Sequence, residues 1–182
     1  MGYRVLVTGT PGVGKTTLCR HLKEVLGCKH LEISSIIEKK KLFTRKCPVY
    51  DTLEYDSCAV EEYLRKKMKE KGSYIVDTHD PECVSFVKFD VIVVLSADPG
   101  VLYERYRKRG YNDTKTDENL QVEIMEVVYN DVIECVCEDE EEVSRIIRVE
   151  TASKEKTKTL EEILKEISES PEWSQIVRST PE

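Results

Sequence analysis

Residues 9–17 read GTPGVGKTT, lying between an apolar run at Tyr3–Val7 and a helical pattern from Lys15 to about Leu26. The spacing G-x-x-x-x-G-K-[ST], set between a strand and a helix, admits few folds. Gly9, Gly12 and Gly14 let the backbone curl until several N–H groups point inward, where a multiply charged phosphate accepts them at the helix N-terminus. Lys15 then reaches the β- and γ-phosphates as a point charge. The Thr16 hydroxyl is placed for Mg²⁺, and Thr17 adds a contact to the α-phosphate. A glycine-rich turn beside an ordinary lysine would leave this setting unexplained. The stretch therefore reads as a site for a nucleoside triphosphate.

Further strands are expected at His30–Ile33, Tyr74–Val76, Val91–Leu95 and Ile146–Val149. The run VIVVL is apolar throughout, as a parallel strand covered on both faces requires. Between the strands, Ser57 is expected to cap a helix carrying Val60, Leu64 and Met68 on one face, with Gly72 as its stop. A helix is expected from about Pro99 to Arg109, then a polar break, RGYNDTKTDEN. Asp117 is expected to start a longer helix with Leu120, Ile124, Val127, Val128 and Val132 on its buried stripe, and Leu160–Ile167 a last amphipathic one. The acidic run Glu138–Glu142 reads as a solvated loop or helix end. Strands alternating with helices imply an α/β parallel sheet with helices on both faces.

Asp77 ends the third expected strand, the edge at which open α/β sheets bind ligands. It is a candidate to hold Mg²⁺ through water, the alternative being a turn or N-cap aspartate. His79 follows at the same edge, either as a packed or solvent-facing histidine or as a partner for metal-bound water or the attacking group. Arg105 and Arg109 lie four apart on one helix face. They either close over a transferred phosphoryl group or serve as solvated partners of the helix dipole.

The chain has 182 residues, enough for one domain with a real core, and a net charge of −7 that argues against broad binding of nucleic acid. An acidic surface suits solubility, or a basic protein partner. Its seven cysteines are odd in number and form no C-x-x-C pair, so reduced thiols in a cytosolic or nuclear setting are expected. No secretory leader pattern opens the sequence, and no apolar run approaches the roughly 20 residues of a membrane span.

GTPGVGKTT, the strand end VDTH, VLYERYRKRGYN and TDENLQVEIMEVVYND together resemble the adenylate kinase isoenzyme 6 family. This is the coilin-interacting nuclear ATPase family, a divergent branch of the nucleoside monophosphate kinases. The similarity runs from about residue 3 to 168. It implies a single P-loop kinase domain over 1–182, with a five-stranded parallel sheet in the order 2-3-1-4-5. It also implies a monophosphate-binding segment at about 32–55, a short lid at about 108–118, and a C-terminal helix and tail at about 159–182. ATP would contact Gly12, Gly14, Lys15, Thr16, Thr17, Arg109 and Lys154, with Mg²⁺ at Thr16 and Asp77. Lys15, Asp77, His79, Arg109 and Arg105 would form the catalytic set.

The implied activity is transfer of the γ-phosphoryl group of ATP to AMP or another nucleoside monophosphate, together with ATP hydrolysis. A role in maturation of the 18S rRNA precursor of the small ribosomal subunit is also implied. The partner would be a platform ribosomal protein of the S-eleven type, with pre-ribosomal RNA contacted only indirectly, in the nucleus and cytoplasm and at no membrane. Asp77 and His79 occupy a D-x-H motif where larger adenylate kinases carry D-G-F-P-R. The sequence departs from the family at residues 32–46, EISSIIEKKKLFTRK. Ser34 and Ser35 stand where relatives tend to have glycine and aspartate, and Glu38 stands where an arginine is expected. Lys39, Lys40, Lys41 and Arg45 either supply charge instead or form a solvated basic face.

Overall fold

The structure is a computed structural model that describes residues 2–178, with side chains through 174; of the expected tail, 179–182 lie outside the described residues. Five parallel strands form the central sheet: β1 (Arg4–Thr8), β2 (Lys29–Glu32), β5 (Tyr74–Asp77), β6 (Val91–Ser96) and β7 (Ile146–Glu150). Their spatial order is β2-β5-β1-β6-β7, the expected 2-3-1-4-5 once the parallel strands are counted in chain order. The period of two in a strand sends neighbouring side chains to opposite faces. Val5, Val7, Val91, Val93 and Leu95 thus build one core with Leu18, Leu22, Leu102, Tyr106 and Ile167. Leu6, Ile92 and Val94 build the other with Leu31, Ile37, Val60, Leu64 and Val132.

The first core is covered by α1 (Lys15–Leu26), α4 (Pro99–Lys108), α8 (Leu160–Glu169) and α9 (Pro171–Arg178). The second is covered by α2 (Ile33–Lys40), α3 (Ser57–Met68) and the π-helical turn Val132–Val136. A two-stranded antiparallel hairpin, β3 (Phe43–Cys47) and β4 (Thr52–Tyr55), projects from the segment between α2 and α3. It lies within the expected monophosphate-binding segment, although no strand there is evident from the sequence.

Three local expectations are corrected. The cap of α3 is Asp56 rather than Ser57: its carboxylate accepts from the backbone N–H groups of Cys58 and Ala59 at 3.0 and 3.3 Å. The helix ends at Met68, and Gly72 instead turns the chain into β5 with φ 132°. The helix expected from Asp117 begins earlier, as α5 (Asp113–Ile124), because Asn112 caps it through Lys115 N–H at 2.8 Å. It then stops, and α6 (Val127–Asp131) starts after Glu126 in a left-handed conformation. Leu120 packs against the first core whereas Val132 belongs to the second, and one straight helix cannot serve both. Ile124 is left exposed.

The acidic run forms α7 (Glu140–Val143), and within it Glu142 is buried and paired with Lys88 at 2.7 Å.

Candidate active site

Register decides what meets at the carboxyl edge of the sheet. Val7 pairs with Asp77 across β1 and β5, so the phosphate loop and the strand-end carboxylate emerge side by side. Gly9 turns out of β1 with φ 138°, and a Cβ there would stand 2.1 Å from the Leu95 carbonyl, so no other residue fits. Gly14, at φ 106°, precedes α1 and faces open space, the place a phosphate group needs.

The loop's carbonyls are tied from outside, which leaves its N–H groups free to point inward. Arg105 Nη1 donates to the Gly12 carbonyl at 2.8 Å, the Tyr106 hydroxyl to Pro11 at 2.6 Å, and the Thr151 hydroxyl to Val13 at 2.9 Å. Glu123 on α5 accepts from the Thr10 hydroxyl with one oxygen and from Ala97 N–H at 2.7 Å with the other. Nothing in the sequence singles out Glu123, Tyr106 or Thr151 individually. Their partners are distant in the chain, and only the LQ-x-E-I run around Glu123 hints at a role.

Lys15 is buried, and its ammonium donates to the Gly9 and Thr10 carbonyls at 2.6 and 3.0 Å. Burial pushes its pKa down to about 8, against the attraction of Asp77. The Thr16 hydroxyl donates to Asp77 Oδ2 at 2.7 Å. A hydroxyl and a carboxylate held together at the mouth of a phosphate loop are hard oxygen donors, and they suit Mg²⁺ shared with phosphate oxygens.

Lys15, Thr16, Thr17, Asp77, His79 and Arg109 line one cleft of about 740 Å³, together with Gly12 and Gly14. That volume lies within the usual range for small-ligand sites. Thr78 holds the turn beneath His79: its hydroxyl donates to the Asp80 carbonyl at 2.9 Å and accepts Asp80 N–H at 3.1 Å. The imidazole is open to solvent but set within the concave wall. Incomplete hydration, and then Lys15, lower its pKa, so the neutral form is favoured.

Two expected contacts fall elsewhere. Arg105 lies outside the cleft lining, with Nη1 on Gly12, and acts as a brace for the loop. Lys154 is exposed in the loop after β7, also outside the lining, where Ser153 N–H bonds the Lys156 carbonyl at 2.8 Å.

The far wall comes from the hairpin and the start of α5. Tyr50, Asp51, Thr52 and Leu53 line it, with Ser34 and Ile37 from α2. Asn112 Nδ2 donates to the Val49 carbonyl at 3.0 Å and Lys115 Nζ to the Asp51 carbonyl at 2.6 Å, bridging the start of α5 to the hairpin tip. Lys39, Lys40, Lys41 and Arg45 stay outside the lining, and Arg45 pairs with Glu54 at 2.6 Å, so the solvated basic face is the arrangement found. Besides Asp77, the lining holds Glu32, Asp51, Asp80, Glu118 and Asp131 against Lys15, Arg109 and Lys115.

Residues 5–126 match the AAA domain family. Over 148 residues the chain is 36% identical to the Plasmodium falciparum protein named "Adenylate kinase isoenzyme 6 homolog", covering 71% of this chain and 78% of that protein. Over 174 residues it is 31% identical to a Methanocaldococcus jannaschii protein named "Putative adenylate kinase", covering 96% of this chain and 91% of that one. The chain belongs to the adenylate kinase isoenzyme 6 family.

Solved structures agree on the fold. Shikimate kinase from Acinetobacter baumannii superposes with a TM-score of 0.55 at 16% identity, covering 90% of this chain and 89% of that one. A gluconokinase from Sinorhizobium meliloti gives 0.52 at 15% identity, covering 97% and 92%. This member of the isoenzyme 6 family is therefore a P-loop kinase of the adenylate-kinase type. Among the described residues no helix is long and apolar enough to cross a membrane.

Proposed function

We propose that the protein transfers the γ-phosphoryl group of ATP to a nucleoside monophosphate, AMP first among them, and hydrolyses ATP alongside. The observation that carries this reading is the Thr16–Asp77 pair beside Lys15 and Arg109 in one cleft. Mg²⁺ held at Thr16 and Asp77 would neutralise charge on the phosphates. A monophosphate acceptor is already ionised, so the protein's work is positioning and electrostatic stabilisation rather than strong base catalysis. Lys15 binds the bridging end of the triphosphate, Arg109 approaches the transferred group from the lid, and the hairpin and α5 exclude water when they meet.

ATP hydrolysis fits His79. A neutral imidazole at the cleft wall can hold a water that competes with AMP. Replacing His79 with glycine is expected to lower hydrolysis more than AMP phosphorylation, as read by coupled ADP release with and without AMP. Equal retention of both rates excludes His79 from the reaction.

The acceptor wall favours a second reading. Among the described residues no arginine except Arg109 lines the cleft, and the carboxylates named above repel a phosphate dianion. On this reading the ATP cycle gates contact with a basic platform ribosomal protein of the small subunit. The chain then acts in 18S rRNA precursor maturation, in the nucleus and cytoplasm, and touches RNA only through its partner. Such gating requires ATP to bind the open and closed forms unequally. ADP release stimulated by AMP supports the kinase, whereas turnover indifferent to monophosphates but altered by the ribosomal protein supports the assembly factor.

A further inference from the structure

Beneath the phosphate loop, two side chains that the phosphoryl-transfer reading leaves unused stand beside Asp77. Cys19, one turn along α1 from Thr16, faces His30 on β2 and Asp77 on β5. One potential ligand atom from each of the three lies within 4.8 Å of the other two. We propose that Cys19, His30 and Asp77 form a site for a borderline-soft divalent transition metal of the zinc type, and that filling it opposes magnesium-dependent turnover.

His30 Nε2 stands 3.4 Å from Asp77 Oδ2. The contact is too long for a good hydrogen bond, and Nε2 is a buried nitrogen without a hydrogen-bond partner among the described residues. The His30 side chain is only 9% exposed, so water does not readily satisfy it. Nitrogen and oxygen ligands about 2.0–2.1 Å from a tetrahedral zinc stand about 3.3–3.4 Å apart, which matches the separation found.

The donor set points to the same class of ion. Thiolate, imidazole and carboxylate together suit zinc or cobalt and not magnesium, which takes oxygen ligands. The carboxylate and a thiolate would balance the two positive charges of the ion. Burial raises the Cys19 pKa and keeps the free thiol protonated, so binding forms a metal–sulfur bond and releases one proton to solvent. Asp77 lines the cleft, which gives the ion its way in.

The functional consequence follows from one oxygen. Asp77 Oδ2 is the atom that accepts from Thr16 at 2.7 Å. A transition metal that takes this oxygen withdraws it from Thr16 and from the magnesium position, so the two ions compete through a shared ligand.

Cobalt(II) titration of the nucleotide-free protein tests the site, because thiolate ligation gives a near-ultraviolet charge-transfer band. The more accessible Cys47, Cys58, Cys135 and Cys137 are first replaced by serine to remove competing thiols. One cobalt ion per chain is expected, with that band, displaced by zinc. The band should vanish in Cys19→Ala and the affinity fall at least about tenfold in His30→Gln. Should Cys19→Ala fold poorly, the His30→Gln titration decides alone, and an unchanged affinity there overturns the site. Zinc should also inhibit ATP turnover of the parent protein and spare Cys19→Ala. Absence of the band from the four-serine protein, or its survival in Cys19→Ala, likewise overturns the proposal. The cobalt band is read without nucleotide, so it does not depend on which acceptor, if any, the kinase uses.

Discussion

The Thr16 hydroxyl donates to Asp77 Oδ2 across 2.7 Å, although the two residues are 61 positions apart in the chain. Parallel pairing of β1 with β5 brings the start of α1 beside the end of β5, and the bond fixes the carboxylate's orientation before any nucleotide arrives. Asp77→Asn keeps the size and an acceptor for Thr16 but removes the charge that magnesium requires. Turnover of ATP is expected to fall by about 10²–10³-fold, the loss typical of one removed electrostatic stabiliser. The magnesium concentration for half-maximal rate should rise, as a magnesium titration of coupled ADP release would show. A wild-type magnesium curve from this variant removes Asp77 from the metal site.

Lys15 leads to a proton-uptake measurement. Its pKa lies at about 8 against the ordinary 10.5, chiefly because burial disfavours the ammonium. A bound triphosphate restores the charge, so near pH 8 binding should take up roughly half a proton, falling towards none at about pH 6.5. Calorimetry in buffers of different ionisation enthalpy reads this directly. The same lowering has a consequence for stability. Between about 8 and 10.5 the unfolded chain holds more protons at this position than the folded one, so Lys15 contributes a rise in stability with pH across that window. Lys15→Met should lack that rise. Identical pH profiles for the two proteins contradict the assigned pKa.

Arg105 and Arg109 sit one helical turn apart yet should separate kinetically. Arg105 braces the Gly12 carbonyl, whereas Arg109 lines the cleft. Arg105→Ala is expected to raise KM for ATP about tenfold and lower the melting temperature, with kcat nearly kept. Arg109→Ala is expected to lower kcat by about 10²-fold or more, because it meets charge that develops in the transition state. The reverse pattern would exchange their roles.

These residues also show what a sequence can disclose. The phosphate loop is legible because its chemistry is carried by consecutive residues, and the sheet because a run such as VIVVL must be buried on both faces. The hairpin is not. Phe43, Thr44, Arg45 and Lys46 in β3 are exposed, so no alternation marks that strand, and its turn relies on Asp51 at φ 45° rather than on an Asn-Gly pair. The break at Glu126 is hidden because Leu120, Val128 and Val132 keep helical spacing while serving different cores. Arg105 reads as catalytic because arginine near a phosphate loop serves binding and bracing alike, and only its partner tells them apart.

Glu123 offers the most direct test of how the loop is held. It links α5 to the buried hydroxyl of Thr10 and to the backbone of Ala97, a residue only 4% exposed. Glu123→Ala leaves the hydroxyl and the N–H group without their acceptors, at about 1–3 kcal/mol for each unsatisfied group. Urea unfolding should show a loss of that order, and the affinity for ATP should drop because the loop's N–H groups lose their fixed directions. Glu123→Gln can still accept from one of the two groups, so it should fall between the wild type and alanine on both measures. At saturating ATP both variants should approach the wild-type rate, since Glu123 faces the loop from behind and not the reacting phosphate. A kcat that collapses while stability is unchanged would instead put Glu123 in contact with the chemistry.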